Sequence, residues 1–368
     1  MASPGHPPQP NERRAIACPT SSGWNPYLNL LYGSLAREGV PFEPAARLTA
    51  RWLLGARQRV RWLHVHWPQS LYRFSRGPRA LRGVFSWLKL GVFAARLAFA
   101  RALGYRLVWT IHQVLPHEGA SRLDLAAAHL LGRRADVLVA HDQETVARAA
   151  EIVGSRHVAV VPHGSYVGVY RPGEGRAAAR VGLGIDDERV ALSFGELRGY
   201  KDMDVLVDAF AQVQAGGLLL VAGYPKDKRL AAELGEAAER DSRIRFLPRF
   251  VPDERVSDFF AVADVAVVPR GDGGTSGSLI LALSFGVPVV AADTATYREL
   301  LGDGEAGWLF EPGDPVSLAS ALDAAFSAPE EELRRRAEVA AAQAASLDWD
   351  ESARRLAALL RGRVYLGG

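Results

Sequence analysis

The chain has 368 residues and a formal net charge of +3, and this length predicts two domains with ample core. Its single cysteine excludes an internal disulfide and a thiolate metal cluster. It contains no run of eighteen uncharged apolar residues and no apolar segment typical of a signal peptide near its start, so neither a transmembrane helix nor secretion is expected. These features predict a cytoplasmic protein.

The two halves of the chain differ in charge. Residues 1–175 hold 22 Lys and Arg against 10 Asp and Glu, a net charge of +12, whereas residues 176–368 carry a net charge of −9. A basic first half suits nucleic acid, an anionic membrane or a phosphorylated substrate. A general preference for Arg over Lys accounts for the Arg content but not for its asymmetry.

The first half alternates between strands and helices after a proline-rich, polar tail. Residues 1–14 are expected to be disordered. The patterns then predict strands at 15–18, 62–66, 105–111, 135–140 and 157–161, and helices at 27–38, 123–131 and 141–153. A long basic and aromatic segment occupies 71–103. This alternation is typical of a doubly wound parallel sheet.

The pattern restarts after a short linker at 171–176. Strands are predicted at 190–194, 218–222, 244–246 and 265–268, and helices at 203–214, 227–240, 252–262, 317–328, 330–346 and 350–361. We therefore expect an α/β protein with two Rossmann-like domains, 15–170 and 177–350, facing each other across a cleft. The last segment, 351–368, is expected to pack back on the first domain. The polar turns at 19–26, 112–118, 195–201 and 270–278 follow strands and should line that cleft.

The stretch 263–293 carries the sharpest local signal. A strand of β-branched residues is followed by a glycine-rich loop, a short helix without a polar face and another strand. Ser276 or Ser278 can cap that helix, and Thr275 and Gly277 add a hydroxyl and a backbone N–H. Free N–H groups and the positive end of the helix dipole favour an anion, and phosphate is the natural one. The alternative is an ordinary strand–helix turn without a ligand.

These elements together resemble the GT-B glycosyltransferases of the large, mainly retaining group that uses nucleotide sugars. The resemblance covers nearly everything after residue 15. It rests on the order and spacing of NPYLNLLYGSL, HVHWP, WTIHQVLPHE, VPHGSY, FGELRGYKDMDVLVDAF, FVPDERVSDFFAVADVAVVP, SGSLILALSFGVPVVAAD and LDWD.

The resemblance implies a basic grip on the donor diphosphate in the turn that begins at Gly195. Lys201 occupies the position of the family lysine, and Arg198 is the expected substitute for the family arginine, whose place Glu196 takes. Two cations facing a helix N-terminus suit a diphosphate leaving group. The family also carries two glutamates that would fall near Gly273 and at Leu281. Neither position is acidic here, which leaves the contacts to the donor ribose open.

In the first domain the resemblance places His112 beside the transferred sugar. A neutral imidazole there can hydrogen-bond a sugar hydroxyl or accept a proton from the acceptor. His117 and Glu118 share its turn, and His163 is a further candidate for substrate contact. His64 and His66 alternate on one strand and are expected to face opposite sides, with His66 near the acceptor.

Further donor contacts follow from the resemblance. Ser22 and Gly23 lie in the first strand loop, which closes over the donor phosphate and the acceptor in the family. Phe250 and Val251 match the segment that embraces the nucleobase. No His and Cys cluster has metal-ligand spacing, and the Asp pairs that begin at Asp202 and Asp348 are interpreted as helix caps, so no metal and no resident cofactor is expected.

The sequence thus predicts a metal-independent hexosyltransferase that moves a sugar from a nucleotide diphosphate donor to a hydroxyl acceptor, with retention favoured. Inversion would need a base from the turn at 112–118. No nucleic-acid partner is expected, and the segment 71–103 either lies on the inner membrane face or is a helix of the sheet with arginines at its surface. The alternatives are a GT-B epimerase or phosphorylase and a non-catalytic sensor or partner protein.

Overall fold

The computed structural model describes residues 15–20, 25–44, 47–75, 78–116, 119–154 and 157–362, without the side chains of residues 79 and 80. The strands in the described part are β1 (Ala15–Ala17), β2 (Phe42–Glu43), β3 (Val60–Val65), β4 (Arg106–Ile111), β5 (Val137–Ala140), β6 (Val158–Val160), β7 (Val190–Phe194), β8 (Leu218–Ala222), β9 (Ile244–Leu247), β10 (Val265–Val268), β11 (Val289–Ala292) and β12 (Gly307–Phe310).

The helices are α1 (Tyr27–Arg37), α2 (Ala50–Ala56), α3 (Gln69–Tyr72), α4 (Arg79–Ala102), α5 (Arg122–Arg134), α6 (Gln143–Val153), α7 (Arg176–Leu183), α8 (Met203–Phe210), α9 (Lys228–Arg240), α10 (Asp253–Val262), α11 (Gly277–Ser284), α12 (Ala295–Leu300), α13 (Pro315–Ser327), α14 (Glu330–Ser346) and α15 (Trp349–Leu360). A single 3₁₀ turn, Gly199–Lys201, precedes α8.

The chain divides into two compact units. The N-terminal unit comprises the residues up to Gly164 and those from Asp348 onward, and the C-terminal unit comprises Ser165–Leu347. The division therefore falls before the predicted linker at 171–176. The terminal helix α15 packs on α1 of the N-terminal unit, where Leu356 joins the core of that unit.

Each unit contains one parallel six-stranded sheet, as the alternating pattern predicted. The strand order is β2-β1-β3-β4-β5-β6 in the N-terminal unit and β12-β11-β10-β7-β8-β9 in the C-terminal unit. Helices cover both faces of such sheets. Successive residues of a strand point to opposite faces, so they contribute to two separate hydrophobic cores. In the N-terminal unit Leu63 and Val65 lie in one core, and Trp62 lies in the other.

The long helix α4 buries one face and exposes the other. Phe93, Leu97 and Ala100 join the sheet core, whereas Val84, Leu88 and other large apolar residues remain exposed. Within the described chain, the part Leu81–Ala102 is long and apolar enough to span a membrane by length and composition. Because one face packs on the sheet, that helix is not surrounded by lipid in this fold.

Candidate functional site

The topology of the C-terminal sheet brings two loops together. Strands β7 and β10 are neighbours, although β8 and β9 separate them in sequence. This is the point where the strand order reverses, and parallel sheets bind ligands in the crevice that opens beyond the strand ends there. The loop after β7 holds residues 195–202 and the loop after β10 holds residues 269–276. The two loops singled out from the sequence are therefore adjacent.

A side chain ties these loops to each other. The Asp202 carboxylate accepts a hydrogen bond from the backbone N–H of Gly271 at 2.9 Å. The interpretation of Asp202 as a helix cap is wrong, since its side chain makes no bond to the first turn of α8. Its backbone is left-handed, with φ of 52°, a conformation that Asp tolerates better than most residues. Asp348, in contrast, caps α15 as expected.

The N-terminus of α11 faces the loop that follows β7. Ser276 caps the helix by accepting a hydrogen bond from Leu279 N–H, while residues 279–283 are buried. A Cβ atom built on Gly195 would lie 3.5 Å from Ser278 Oγ and 4.0 Å from Lys201 Nζ. The glycine therefore keeps open a space that a hydroxyl, an ammonium group and the start of a helix surround. That combination is an anion site.

Lys201 carries the electrostatic signature of such a site. Burial lowers the pKa of its ammonium group to about 8, with Arg270 and Arg198 adding repulsion against the opposing effect of Glu196. Arg270 is 9% exposed and donates hydrogen bonds to Asp272 and to the carbonyl of Gly273. Sequence reasoning missed Arg270, although an arginine directly after a strand and before three glycines was a usable signal.

Arg198 is held less firmly in the site than Lys201. Its guanidinium donates to Glu196 at 2.6 Å, and Lys226 lies 3.1 Å from the other oxygen of the same carboxylate. Burial raises the pKa of Glu196, but these two cations outweigh it and the pKa is lowered. Arg198 is thus already paired with a carboxylate, whereas Lys201 makes no ion pair among the described residues.

The remaining predicted residues of this unit lie in or near the same loops. Thr275 directly precedes the cap of α11, and Gly277 begins that helix within reach of the Tyr166 hydroxyl. Phe250 is exposed and Val251 is buried in the loop between β9 and α10. Leu281 is buried in α11, at a position where the resemblance implied a carboxylate.

The N-terminal sheet presents a different set of side chains at the same edge. His66, His112 and His141 each follow the last residue of a strand, and His163 comes three residues after β6. Those strands are consecutive in the sheet, so the histidines converge. Tyr27, at the start of α1, lies at their centre, with ring centroids 5.0 to 5.5 Å from all four.

These imidazoles are neutral. Burial lowers the pKa of His163 to about 3, and burial followed by repulsion from other histidines puts the pKa values of His66 and His112 well below their usual range. His141 Nδ1 donates to the carbonyl of Val161 at 2.8 Å, so its Nε2 accepts from the Tyr27 hydroxyl at 3.1 Å. The carboxyl edge of the N-terminal sheet therefore offers hydrogen-bonding groups that carry no net charge.

The expectation that His64 and His66 face opposite sides is wrong. The Tyr32 hydroxyl lies 3.1 Å from His64 Nδ1 and 3.1 Å from His66 Nε2. Residues two apart on a strand share a face, because the side chains alternate with a period of two. His66 Nδ1 in turn lies 3.0 Å from His112 Nε2, so the predicted His66 and His112 are in direct contact.

Some predicted residues cannot be placed. Ser22, Gly23, His117 and Glu118 lie outside the described residues.

Sequence reasoning missed three residues of the histidine cluster, Tyr27, Tyr32 and His141. His141 could have been found as a polar residue directly after a predicted strand, but no local signal marks the tyrosines. Among the described residues, no group of three His, Cys, Asp or Glu side chains is arranged to hold a metal ion.

Comparison with known proteins identifies the C-terminal part of the chain. Residues 188–327 match the family model described as "Glycosyl transferases group 1". The chain carries a glycosyl transferases group 1 domain. For residues 188–327, this match confirms the family that the sequence motifs indicated.

The similarity of this chain to known relatives extends beyond the matched domain. It is 32% identical over 287 residues to the D-inositol 3-phosphate glycosyltransferase of Streptomyces scabiei, covering 69% of this chain and 62% of the relative. It is 25% identical to the GDP-mannose:glycolipid 4-beta-D-mannosyltransferase of Xanthomonas campestris pv. campestris, covering 83% and 81%. The chain spans about half to three-fifths of the length of the first three curated relatives, 62%, 51% and 52%.

A solved structure supports the fold of both units. Anabaena HepE in complex with UDP-glucose matches with a TM-score of 0.73 at 20% identity, over 95% of this chain and 99% of that one. The GT-B architecture predicted from the sequence, two Rossmann-like units with parallel sheets, is confirmed.

Proposed function

We propose that this protein is a glycosyltransferase that moves a hexosyl unit from a nucleotide diphosphate sugar to a hydroxyl acceptor. One observation carries the proposal: the Lys201 ammonium group, the Ser278 hydroxyl and the start of α11 surround the space above Gly195. A diphosphate that leaves a sugar gains negative charge, and fixed cations and helix N–H groups stabilise that charge in the transition state. Because Lys201 and Arg270 supply positive charge, the reaction is proposed to need neither a metal ion nor a resident cofactor.

The relatives narrow the donor and acceptor classes that deserve testing. Two of them are named for transfer to D-inositol 3-phosphate and for transfer from GDP-mannose to a glycolipid. Anabaena HepE was solved with UDP-glucose. We propose a donor of the same class, a nucleoside diphosphate hexose, and an acceptor that is a small polyol or a glycolipid.

We propose that transfer retains the anomeric configuration. An inverting reaction needs a side-chain base, and His112 is a weak one because burial and the neighbouring histidines hold its pKa well below the usual range. In a retaining reaction the leaving diphosphate itself can take the acceptor proton. His112 would then hydrogen-bond a sugar hydroxyl. The anomer of the product, observed by NMR as it forms, tests this assignment: an inverted product would contradict it.

The decisive experiment compares two lysines of the C-terminal unit. Release of the nucleotide from UDP-, GDP-, dTDP- and ADP-hexoses is measured for the wild type, for Lys201→Ala and for Lys228→Ala, whose lysine is exposed on α9. Lys201→Ala should lower kcat/KM about 100- to 1,000-fold, whereas Lys228→Ala should leave it unchanged. The same assays run in EDTA should give the same rates.

A second candidate function, a sugar-nucleotide sensor without turnover, is favoured by Leu281. This buried leucine occupies the position of a family glutamate, so one expected contact to the ribose is absent. The sensor would bind a nucleoside diphosphate sugar, with Lys201→Ala weakening binding, but would release no nucleotide with any acceptor. That result would replace the transferase proposal.

We also propose that α4 brings this protein to the inner face of an anionic membrane. Seven of its exposed residues form an apolar stripe at spacings of three, four and seven: Leu81, Val84, Phe85, Leu88, Val92, Ala95 and Phe99. The opposite face is already buried in the sheet core. An apolar stripe of this kind on a helix can lie at the boundary of headgroups and acyl chains.

Charge complementarity supports an anionic membrane as the partner of this stripe. Residues 44–117 contain 13 Lys and Arg and no Asp or Glu. Arg82 and Arg96 are exposed on α4, beside the stripe. Anionic lipids attract such basic segments by about 1 kcal/mol for each cation near the surface.

Vesicle flotation tests the membrane contact. The wild type should float with phosphatidylglycerol vesicles and not with phosphatidylcholine vesicles, and Arg82→Gln with Arg96→Gln should weaken binding. Phe85→Ser with Leu88→Ser should abolish it, whereas Leu54→Ser, which changes an exposed leucine on α2, should not. If the apolar double variant instead converts a dimer to a monomer and vesicle binding is absent, the stripe is an interface between two copies of the chain.

A further inference from the structure

A continuous chain of hydrogen bonds connects strand β4 to His112. The Thr110 hydroxyl lies 2.8 Å from His64 Nε2, and His64 Nδ1 lies 3.1 Å from the Tyr32 hydroxyl. That hydroxyl lies 3.1 Å from His66 Nε2, and His66 Nδ1 lies 3.0 Å from His112 Nε2. Every group in this chain can donate or accept, so the chain as a whole has two directions.

The buried Thr110 hydroxyl selects one direction. Thr110 is 1% exposed, and its hydroxyl has one hydrogen-bond partner among the described residues, His64 Nε2. If His64 donated to Thr110, the hydroxyl hydrogen would be buried without an acceptor, which is unfavourable. Thr110 therefore donates and His64 Nε2 accepts.

Each following role is then fixed. A neutral imidazole carries one hydrogen, and burial lowers the pKa of His64 to about 3, so this ring is neutral at ordinary pH. His64 Nδ1–H thus donates to the Tyr32 oxygen. The Tyr32 hydroxyl also interacts with the Cys18 thiol, which donates to the Thr20 carbonyl, but sulfur is a weak acceptor, so the hydroxyl donates to His66 Nε2. His66 Nδ1–H donates to His112 Nε2, and the single hydrogen of His112 must be on Nδ1.

The ring of His112 is also held in place. Trp67 stacks on it with the centroids 4.4 Å apart and the planes 17° apart, while the bond from His66 fixes the position of Nε2. His112 is partly exposed, and its Nδ1 has no hydrogen-bond partner among the described residues. Nδ1 is therefore the ring atom available to a ligand.

We propose that Thr110, His64, Tyr32 and His66 are positioning residues that fix His112 as the Nδ1-protonated tautomer, so that His112 donates a hydrogen bond to an oxygen atom of the sugar substrate. The role toward the sugar rests on the proposed glycosyl transfer, whereas the tautomer does not. The tautomer is unusual, because free histidine in water favours hydrogen on Nε2. It excludes His112 as a base through Nδ1.

The wild-type protein tests the tautomer directly. In ¹⁵N-histidine NMR spectra, His64, His66 and His112 should all show a protonated Nδ1 and an unprotonated Nε2 at pH 7, with assignments from single-histidine variants. A protonated Nε2 in any of the three overturns the proposal. This measurement needs no turnover, so its result does not depend on whether the proposed activity is correct.

A matched pair of variants tests the role of the chain. His66→Phe removes the donor to His112 Nε2 and should return His112 to the Nε2-protonated form. His141→Phe changes another ring of the cluster, 5.0 Å from His112 but not hydrogen-bonded to it, and should leave the tautomer as in the wild type. An unchanged tautomer in a folded His66→Phe protein contradicts the proposal, and if that variant does not fold the wild-type spectrum still decides.

Kinetics test the donor role. His112→Asn places an amide N–H near the position of Nδ1–H, so it should retain most of the activity, whereas His112→Ala and His112→Gln should lower kcat/KM at least about tenfold. Equal activity of the Asn and Gln variants would contradict a donor at Nδ1. Absence of turnover in the wild type, with the NMR pattern intact, would refute the proposed function and leave the tautomer standing.

Discussion

The carboxyl edges of the two sheets are built alike and charged differently. In the C-terminal unit, the loops after β7 and β10 carry Arg198, Lys201 and Arg270. In the N-terminal unit, histidines follow four adjacent strands, and the buried ones carry no charge at neutral pH. The same position in one kind of fold thus provides cations in one unit and neutral hydrogen-bonding groups in the other.

This difference suits two kinds of ligand chemistry. A diphosphate needs positive charge, and the cost of placing Lys201 in this site appears as its lowered pKa, which is caused mainly by burial and then by repulsion from Arg270. A sugar needs directional hydrogen bonds from groups that stay neutral, and burial of the imidazoles keeps them neutral. The predictions below perturb one edge at a time, from the largest expected effect to the smallest.

Acid should destabilise the histidine edge most. His64 and His163 have pKa values of about 3 in the native state, so below pH 6.5 the unfolded chain binds protons that the native state does not. The free energy of unfolding therefore has its full value above pH 6.5. Below that pH it decreases by about 1.4 kcal/mol per pH unit for each such histidine.

Calorimetry between pH 7.5 and 5, with hydrogen exchange to separate the units, measures this effect. Amides of the N-terminal unit should lose protection first as the pH falls. A stability that stays flat down to pH 5 would show that these rings take up protons in the native state with the same pKa as in the unfolded chain.

Alkaline pH should weaken the cationic edge. With a pKa of about 8, Lys201 is mostly charged at pH 7 and mostly neutral at pH 9. If the bound phosphate needs the charged form, affinity for a nucleoside diphosphate should fall up to about tenfold per pH unit above pH 8. Titration calorimetry of UDP or GDP at pH 7, 8 and 9 measures this affinity. The Lys201→Arg variant should bind with the same affinity at all three pH values. The same pH dependence in the arginine variant would assign it to another group.

Loss of the bond between Asp202 and Gly271 should loosen the two loops that form the anion site. Asp202→Ala removes the acceptor and should lower both stability and nucleotide affinity, each by about 1–2 kcal/mol. Asp202→Asn retains an acceptor oxygen and a residue that tolerates the left-handed backbone, so it is the matched control. Thermal unfolding and titration calorimetry measure the stability and the nucleotide affinity of the two variants. If the Ala and Asn variants give the same values, this hydrogen bond does not hold the two loops together.

Arg198→Ala should have the smallest effect on the cationic edge. Its guanidinium is 35% exposed and already paired with Glu196, so it has less charge to offer than Lys201. We expect a loss in kcat/KM of only about threefold to tenfold, in accordance with the modest energies of exposed ion pairs. A loss as large as that of Lys201→Ala would make Arg198 the primary phosphate ligand.

Much of the fold and half of the site could be predicted from local signals. The β-branched strands, Ser276 at the start of α11 and the alternation of strands with helices were predicted from short windows. The fold is confirmed, and the family is confirmed for residues 188–327. Short elements such as β2, α7 and α12 were not predicted, because a few residues give too little periodicity. The bond from Asp202 to Gly271 joins residues 69 apart in sequence, so no window contained it.

The sequence by itself determined which segments become strands and helices, where the helix that begins after Ser276 starts, and which loop carries Lys201. Those features depend on propensity, capping and hydrophobic period, which act over a few residues. Only the tertiary structure decided that four histidines meet around Tyr27 and that Thr110 is linked to His112 through His64, Tyr32 and His66. Strand order decides which strand ends become neighbours, and pairing between residues far apart in the chain sets that order.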